Sequence, residues 1–268
     1  MSEHENPVHR PRRRFSQNFL VDKTVVVAIV RAIAPQRGDH VVEIGPGLGA
    51  LTSSLLDAVD RIDAIEIDRD AVNELQKQFG QRLNIHQADA LKFDLAGLGE
   101  NLRVVGNLPY HISTPLLFRM DAVFNRIRDC HFMLQREVVQ RMAAQPDTKD
   151  YGRLSVMLQY RWHIESLFDV PPAAFRPQPK VWSSIVRMSP WTQQPARAAD
   201  EALFARVVAA AFSQRRKTLR NALRLIASDE DFASCAIDPG ARGETLGVGE
   251  FVRIADCVAF RLQRATSS

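Results

Sequence analysis

The feature that most constrains the fold is an alternation of short apolar runs with amphipathic segments along the first half of the chain. The apolar runs cover residues 41–44, 62–67, 83–86, 102–105 and 130–134. Helical patterns lie between them; Ala71, Leu75 and Phe79, for example, are spaced to share one face of a helix. Strands joined by helices of this length pair in parallel, so the alternation predicts an α/β fold with a Rossmann-like, doubly wound, mostly parallel sheet.

Two later segments, residues 162–168 and 181–188, have the composition of additional strands around a proline-rich loop. A change in composition follows at residues 189–195, which we interpret as a linker. Beyond it the pattern is purely helical. We therefore predict two domains: residues 1–189, with a basic N-terminal arm, and a small all-helical domain at residues 190–268.

The composition excludes several classes of protein. The 46% of apolar residues is enough for a full core, so global disorder is excluded. No apolar run reaches the roughly 18 residues that a membrane span requires. The first residues include Glu3 and Glu5 and no apolar stretch, which argues against a secretory or transit signal. The three cysteines are far apart, so a disulfide framework or a metal site is not expected. Their sparse use instead favours a cytoplasmic location.

The net charge of +4 is distributed unevenly. Basic residues, most of them arginines, flank a mildly acidic middle section, and residues 10–14 form an arm of the composition Arg-Pro-Arg-Arg-Arg. The planar guanidinium group suits phosphates and base edges. This distribution favours a polyanionic partner such as a nucleic acid.

A glycine-rich turn follows the first predicted strand of the sheet. Residues 43–49 are Glu-Ile-Gly-Pro-Gly-Leu-Gly, and Gly45 and Gly47 permit a tight turn with close approach of a ligand to the backbone. Glu66, at the end of the next strand, is placed to accept hydrogen bonds from ribose hydroxyls. This combination fits NAD and S-adenosylmethionine equally well, so these motifs alone leave both open.

Two further strands also end in polar residues. Asp89 follows the third strand of the series, and Asn107 ends the fourth. Because the carboxyl ends of parallel strands share one edge of a sheet, Gly45, Glu66, Asp89 and Asn107 should surround a single crevice. Asp89 is then a candidate acceptor for the amine of a cofactor adenine.

Residues 107–110, Asn-Leu-Pro-Tyr, carry the most specific chemical signal in the chain. An adenine amine is a poor nucleophile because its lone pair is delocalised into the ring. The side-chain oxygen of Asn107 and the backbone carbonyl of Leu108 can hold the two N–H groups of such an amine and direct its lone pair at a methyl donor. Pro109 stiffens this turn, and the ring of Tyr110 offers a surface on which an unpaired base can stack. We predict that these residues are catalytic.

Phe175, in a stiff proline-rich loop, is either a core anchor or a second stacking surface opposite Tyr110.

Together these motifs resemble the ribosomal RNA adenine dimethyltransferase family. Five segments of the chain match the family in order, at residues 15–20, 43–49, 106–110, 175–181 and 215–221. Departures are minor, since His111 and Ala222 stand where many members carry Asn. The resemblance implies a class I methyltransferase fold and transfer of two methyl groups from S-adenosylmethionine to N6 of each of two adjacent adenosines. These adenosines would lie in a hairpin near the 3′ end of small-subunit rRNA.

The resemblance also implies further site residues. Asn18 and Leu20 would close over the cofactor, with Gly45, Gly47, Glu66, Asp89 and Asn107 as its other contacts, and Phe175 would pack on the target base. We interpret Arg216, Arg220 and Arg224, spaced by four, as one RNA-binding ridge of a helix. The expected partner is rRNA, in a partly assembled small subunit, bound by a monomer; no metal and no membrane are expected.

Three other functions are weighed against this one. A nicotinamide-dependent oxidoreductase would need a proton donor in a substrate domain, and the short helical tail offers no evident candidate. A ribosome-assembly or transcription factor would need no intact cofactor motifs. A DNA adenine methyltransferase shares the chemistry, and competition between RNA and DNA would distinguish it.

Overall fold

The structure, a computed structural model, describes residues 18–214 and 216–266. The basic arm at residues 10–14, the first three residues of the 15–20 motif and Arg215 lie outside the described residues. The strands of the described part are β1 (Phe19–Leu20), β2 (His40–Ile44), β3 (Ile62–Glu66), β4 (Leu83–Gln87), β5 (Leu102–Asn107), β6 (Ile127–Gln135), β7 (Trp162–Val170), β8 (Phe175–Arg176) and β9 (Ser183–Pro190).

Seven of these strands form one sheet, in the order β4-β3-β2-β5-β6-β9-β7. The strands β4, β3, β2, β5 and β6 pair in parallel with one another, and β9 and β7 add an antiparallel edge. The predicted mostly parallel, doubly wound sheet is therefore confirmed. The chain adds strands on one side of β2 and then on the other, so the order reverses between β2 and β5, which is where ligands bind in sheets of this kind.

The helices of the described part are α1 (Lys23–Ile33), α2 (Ala50–Leu56), α3 (Arg69–Phe79), α4 (Ser113–Ala122), α5 (Arg136–Ala143), α6 (Arg153–Gln159), α7 (Glu201–Ala211), α8 (Leu219–Ala222), α9 (Asp229–Ser234) and α10 (Val248–Thr266). One apolar cluster joins α1, α2 and α3 to one face of the sheet, and another joins α4, α5 and α6 to the opposite face. Because both faces are covered, β2 is buried along most of its length, which explains why its residues other than His40 and Glu43 are apolar.

The C-terminal helices α7 to α10 build a third apolar cluster. It includes Tyr151, Val156 and Tyr160, which precede the predicted domain boundary at residue 190. The predicted linker is anchored, since the backbone N–H of Trp191 donates to the Arg161 carbonyl (3.0 Å) and its indole N–H donates to the carbonyl of Gln159 (2.9 Å). The helical segment therefore packs directly against the end of α6.

A buried arginine fixes α1 on the sheet. Arg103 donates to the carbonyl of Ile33 at the end of α1 (2.6 Å) and to the carboxylates of Asp39 (2.7 Å) and Asp129 (2.9 Å). Burial alone would raise the pKa of both carboxyl groups, but the hydrogen bonds they accept, including those from Arg103, lower it. Among the described residues, no helix is long and apolar enough to cross a membrane.

Candidate active site

The glycine turn lies at the carboxyl end of β2. Gly47 has a φ of +58°, and a Cβ atom there would also lie 3.1 Å from the ring of Phe19, so the position requires glycine. Its N–H donates to Glu66 Oε2 (3.2 Å), and the N–H of Gly45 donates to the Ile65 carbonyl (2.9 Å). The turn is thus attached to the end of β3.

Glu66 is buried, with 2% of its surface exposed. Besides the bond from Gly47, its Oε1 accepts from the backbone N–H of Asp68 (2.8 Å). Burial raises the pKa of Glu66, while the hydrogen bonds from Asp68 and Gly47 oppose that rise. The carboxylate is therefore held in one orientation beneath the glycine turn.

Asp89 lies next to Glu66, because the N–H of Ala88 donates to the Glu66 carbonyl (3.0 Å). Its Oδ1 accepts from the backbone N–H of Leu91 (2.9 Å) and so closes a turn after β4. Asp89 is half-buried. The carboxyl ends of β2, β3 and β4 therefore bring Gly45, Glu66 and Asp89 to one edge of the sheet.

Asn107 ends β5, beside the glycine turn. Its side-chain Nδ2 donates to the backbone carbonyl of Asn18 (3.0 Å), which orients the amide. No described residue donates to Oδ1, so this oxygen is the acceptor that the amide presents to a ligand. At the preceding position, a Cβ atom on Gly106 would lie 2.6 Å from the Ile44 carbonyl, so glycine allows β5 to approach β2 closely.

The turn after Asn107 leaves a second acceptor. The Pro109 carbonyl accepts from the N–H of Ile112 (3.1 Å) and from Ser113 Oγ (3.2 Å), whereas no described residue donates to the Leu108 carbonyl. The hydroxyl of Tyr110 is hydrogen-bonded to Ser183 Oγ (2.8 Å). Burial raises the pKa of this phenol, so Tyr110 is neutral and its ring is held at the site.

A single cleft brings most of the predicted residues together. Of the predicted residues, its lining includes Asn18, Leu20, Gly45, Gly47, Asn107, Leu108, Pro109 and Tyr110. Glu66 and Asp89 do not line it; they lie beneath and beside its glycine turn. Within the described residues, no cluster of three or more His, Cys, Asp or Glu side chains is arranged to hold a metal ion.

Phe175 departs from the prediction that it offers a stacking surface. It is 1% exposed and lies in the core with Ala174, Val170 and Ile185. The reason is a pairing that spacing does not reveal, since β8 pairs with β1 and places Phe175 opposite Leu20. Phe175 therefore supports the residue that lines the cleft and does not itself line it.

The predicted arginine ridge is also corrected. Helix α8 covers only four residues, so Arg216, Arg220 and Arg224 do not follow one another along a helix. The helix is short because the N–H groups of Leu219 and Arg220 donate to carbonyls of the distant residues Ala241 and Pro239. The three arginines are nevertheless exposed, and Arg220 lies 3.0 Å from Asp229.

Two buried polar residues of the cleft lie outside the predicted set. Glu43 in β2 is 2% exposed and accepts from Thr52 Oγ1 (2.6 Å). Burial raises the pKa of Glu43 to about 7, against the lowering effect of the Thr52 hydrogen bond. His131 in β6 is 3% exposed, with Nδ1 3.4 Å from Asp129 Oδ1. Glu43 and His131 each interrupt an otherwise apolar run. Because burial of a polar group is costly, such an interruption is the sequence signal that indicates a functional residue.

Comparison with known sequences places this geometry in context. The model of the family described as ribosomal RNA adenine dimethylase matches residues 8–259. A protein of Thiobacillus denitrificans named ribosomal RNA small subunit methyltransferase A is 57% identical over 255 residues, which are 95% of this chain and all of that one. A protein of the same name from Aromatoleum aromaticum is 56% identical over 261 residues, covering 97% of this chain and 98% of its own length.

Solved structures support the fold. A dimethyladenosine transferase from Plasmodium falciparum is similar with a TM-score of 0.77 and 22% identity, over 88% of this chain and 95% of its own. The 23S rRNA methyltransferase ErmE is similar with a TM-score of 0.71 and 22% identity, over 90% and 100% of the two chains. At this identity the likeness shows the fold alone.

Proposed function

Because the chain belongs to the ribosomal RNA adenine dimethylase family, and is thus an S-adenosylmethionine-dependent rRNA adenine dimethyltransferase, we propose that its cleft performs this chemistry at Asn107 and Leu108. The proposed products are N6-dimethyladenosines at two adjacent positions of a hairpin near the 3′ end of small-subunit rRNA. The nicotinamide-dependent alternative loses its support, because the glycine turn that suited both cofactors belongs to a methyltransferase family.

The observation that carries the proposal is a pair of acceptors beside the glycine turn to which no described residue donates. Asn107 uses its amide nitrogen on Asn18, so Oδ1 is available, and the Leu108 carbonyl is available next to it. Two acceptors are what the two N–H groups of an exocyclic amine require. They lie in the same cleft as Gly45 and Gly47, where the order of strands reverses.

These acceptors make the amine a better nucleophile. Hydrogen bonds to both N–H groups favour a pyramidal nitrogen. Its lone pair is then localised on the nitrogen and directed at the methyl donor. S-adenosylmethionine supplies an electrophilic methyl group on a sulfonium; as the bond from N6 to the methyl carbon forms, the bond from sulfur to that carbon breaks and S-adenosylhomocysteine leaves as a neutral thioether. The methylated nitrogen is acidic and loses its proton easily, so no base need act before transfer. The neutral ring of Tyr110, held by Ser183, supports the base by stacking.

The methyl donor suits the residues at the edge of the sheet. Gly45 has open space where a Cβ atom would lie, so a ligand can approach the backbone there. Glu66, held by the N–H groups of Gly47 and Asp68, is the proposed acceptor for ribose hydroxyls, and Asp89 for an adenine amine. Asn18 and Leu20 are proposed to cover the donor, since both line the cleft.

The RNA is proposed to reach the cleft over an exposed basic surface. Arg216, Arg220 and Arg224 are the proposed phosphate contacts, supported by their exposure in the C-terminal helical segment, which we propose is the RNA-binding domain. The proposed substrate is rRNA in a partly assembled small subunit, engaged in the cytoplasm by one copy of the chain.

The experiment that tests the function uses cells that lack this protein. Small ribosomal subunits from such cells, partly assembled and complete, are incubated with the purified chain and S-adenosylmethionine labelled in the methyl group, and the nucleosides of their rRNA are identified by mass spectrometry. The expected result is labelled N6-dimethyladenosine in the rRNA. Absence of label in RNA, or label in competing DNA at the same rate, would overturn the proposal.

A further inference from the structure

Trp182 leaves a large aromatic surface in contact with solvent. It precedes β9 and is 45% exposed, and the adjacent Val181 is 43% exposed. The other two tryptophans differ, because Trp162 is fully buried and Trp191 donates its indole N–H to the Gln159 carbonyl. A single exposed apolar side chain is ordinary, and Trp182 is distinguished by its surroundings.

An arginine holds Trp182 in place. The guanidinium carbon of Arg136 lies 5.8 Å from the centre of the Trp182 ring, within the range of a cation–π contact. The backbone N–H of Arg136 also donates to the Trp182 carbonyl (3.0 Å). The Arg136 side chain is itself 46% exposed, and its Nη1 lies 3.6 Å from Asp169 Oδ2. The ring is therefore ordered while much of its surface stays accessible.

Trp182 is also joined directly to the cleft. The next residue, Ser183, holds the hydroxyl of Tyr110, which lines the cleft. Successive Cα atoms are only about 3.8 Å apart, so the backbone of Trp182 directly adjoins the residue that contacts Tyr110. Trp182 is not among the residues that line the cleft, and it lies one residue along the chain from the side chain that holds Tyr110.

The surroundings of Trp182 match the chemistry of single-stranded nucleic acid. Lys180, two positions before Trp182 in the chain, is exposed, and the exposed Arg136 packs on the ring. An accessible ring with one cationic side chain packed on it and another two positions away in sequence is suited to stack an unpaired base and to attract its phosphates. The acidic group in the vicinity, Asp169, already lies against Arg136 and Ser184.

We propose that Trp182, with Arg136 packed on its ring, is the stacking surface for an unpaired nucleotide that flanks the target adenosine. This inference rests on the proposed function and specifies how the same site recognises its RNA. The nucleotide beside the target then stacks on Trp182 while the target base lies over Tyr110.

The first test compares three variants in methyl transfer to small-subunit rRNA. Trp182→Ala removes the ring, Trp182→Leu keeps apolar area without a planar ring, and Trp182→Tyr keeps an aromatic surface. We expect KM for RNA to rise roughly 5- to 100-fold for Ala and Leu, since base stacking on aromatic rings has this magnitude, and to recover largely with Tyr. The affinity for S-adenosylmethionine should stay unchanged in all three.

The second test is spectroscopic. Stacking of a base on indole quenches its fluorescence, so titration with the RNA hairpin should quench the wild-type emission. Trp182→Phe, which keeps only Trp162 and Trp191, should lose that quenching. Phe260→Ala is the matched control, because Phe260 is an exposed aromatic (61%) with Arg264 at 5.6 Å, but lies on α10.

The outcomes separate this inference from the function on which it rests. Three results would overturn the stacking surface and leave the methyltransferase proposal intact. They are a KM for RNA that is unchanged in Trp182→Ala, a KM that Trp182→Leu restores as fully as Trp182→Tyr does, and a loss of quenching by RNA in Phe260→Ala equal to that in Trp182→Phe. A wild-type chain that transfers no methyl group to RNA would overturn the function itself. Emission that RNA leaves unquenched in the wild type would also overturn the inference.

Discussion

The side-chain amide of Asn107 donates to the backbone carbonyl of Asn18 across 89 positions of sequence, at 3.0 Å. This bond determines which atom of the amide meets a ligand, because it engages the nitrogen and leaves the oxygen. The backbone that carries the carbonyl is itself held by the pairing of β1 with β8. Segments near residues 18, 107 and 175 therefore define together the acceptor on which the proposed chemistry depends.

Replacement of Glu66 should mainly affect binding of the methyl donor. Glu66→Gln keeps the volume of the side chain and removes its charge, so we expect the Kd for S-adenosylmethionine to rise by roughly tenfold or more, as for loss of a charge-assisted hydrogen bond. Isothermal titration calorimetry measures this directly. Glu74→Gln, on the exposed face of α3, is the control and should bind as the wild type does. Equal affinities for all three chains would remove Glu66 from the donor site.

Binding of the donor should release a proton from Glu43 near neutral pH. Burial raises the pKa of this carboxyl to about 7, and a sulfonium cation in the cleft favours the carboxylate. Calorimetry at pH 7 in two buffers of different ionisation enthalpy measures the proton count. We expect net release by the wild type and much less by Glu43→Gln. Release of equal size from that variant would assign the proton to another group, such as Glu66.

The same raised pKa has a consequence for stability. The folded state binds the Glu43 proton more tightly than the unfolded chain, whose pKa is near 4.5. The contribution of this group to the free energy of unfolding therefore falls as the pH rises from about 4.5 to about 7. Glu43→Gln should flatten this part of the stability profile.

The exposed arginines should contribute to the salt dependence of RNA binding. If Arg216, Arg220 and Arg224 each neutralise a phosphate, the triple replacement by Ala should reduce the slope of log K against log salt by roughly 2. Filter binding over a range of salt concentrations measures the slope. A triple Ala variant of Arg37, Arg61 and Arg69, exposed elsewhere on the chain, is the matched control. A slope that changes equally in both variants would mean a general charge effect.

Loss of the buried arginine should destabilise the fold. Arg103→Leu leaves the carboxylates of Asp39 and Asp129 without their buried partner, which should lower the free energy of unfolding by about 3–5 kcal/mol. Arg128→Leu removes a more exposed partner of the same Asp39 and should lower it by less than about 1 kcal/mol. Chemical denaturation measures both, and equal effects would contradict the role given to burial.

Much of the sheet was predictable because its signals are local. Apolar runs and helical spacing locate β2 to β6, and the rule that parallel strands end at one edge brings Gly45, Glu66, Asp89 and Asn107 together. Each of these inferences needs only neighbouring residues and a general property of parallel sheets.

What sequence reasoning missed depends on contacts between distant segments. Phe175 is buried because β8 pairs with β1, and the arginine ridge is broken because Leu219 bonds to the Ala241 carbonyl. Local spacing favours a surface ring and a continuous helix at these positions, and tertiary contacts override both. The orientation of the Asn107 amide likewise depends on Asn18, and no pattern near residue 107 indicates it.

The most direct test of the central claim is the rate of methyl transfer by Asn107→Ala in a single turnover, at saturating S-adenosylmethionine and rRNA. Because the variant removes one of the two acceptors for the target amine, we predict a rate on the order of 10²-fold or more below that of the wild type, with a melting temperature lowered by only a few degrees through loss of the hydrogen bond to Asn18. A rate equal to that of the wild type would contradict the account, since the amine would then be activated without Asn107.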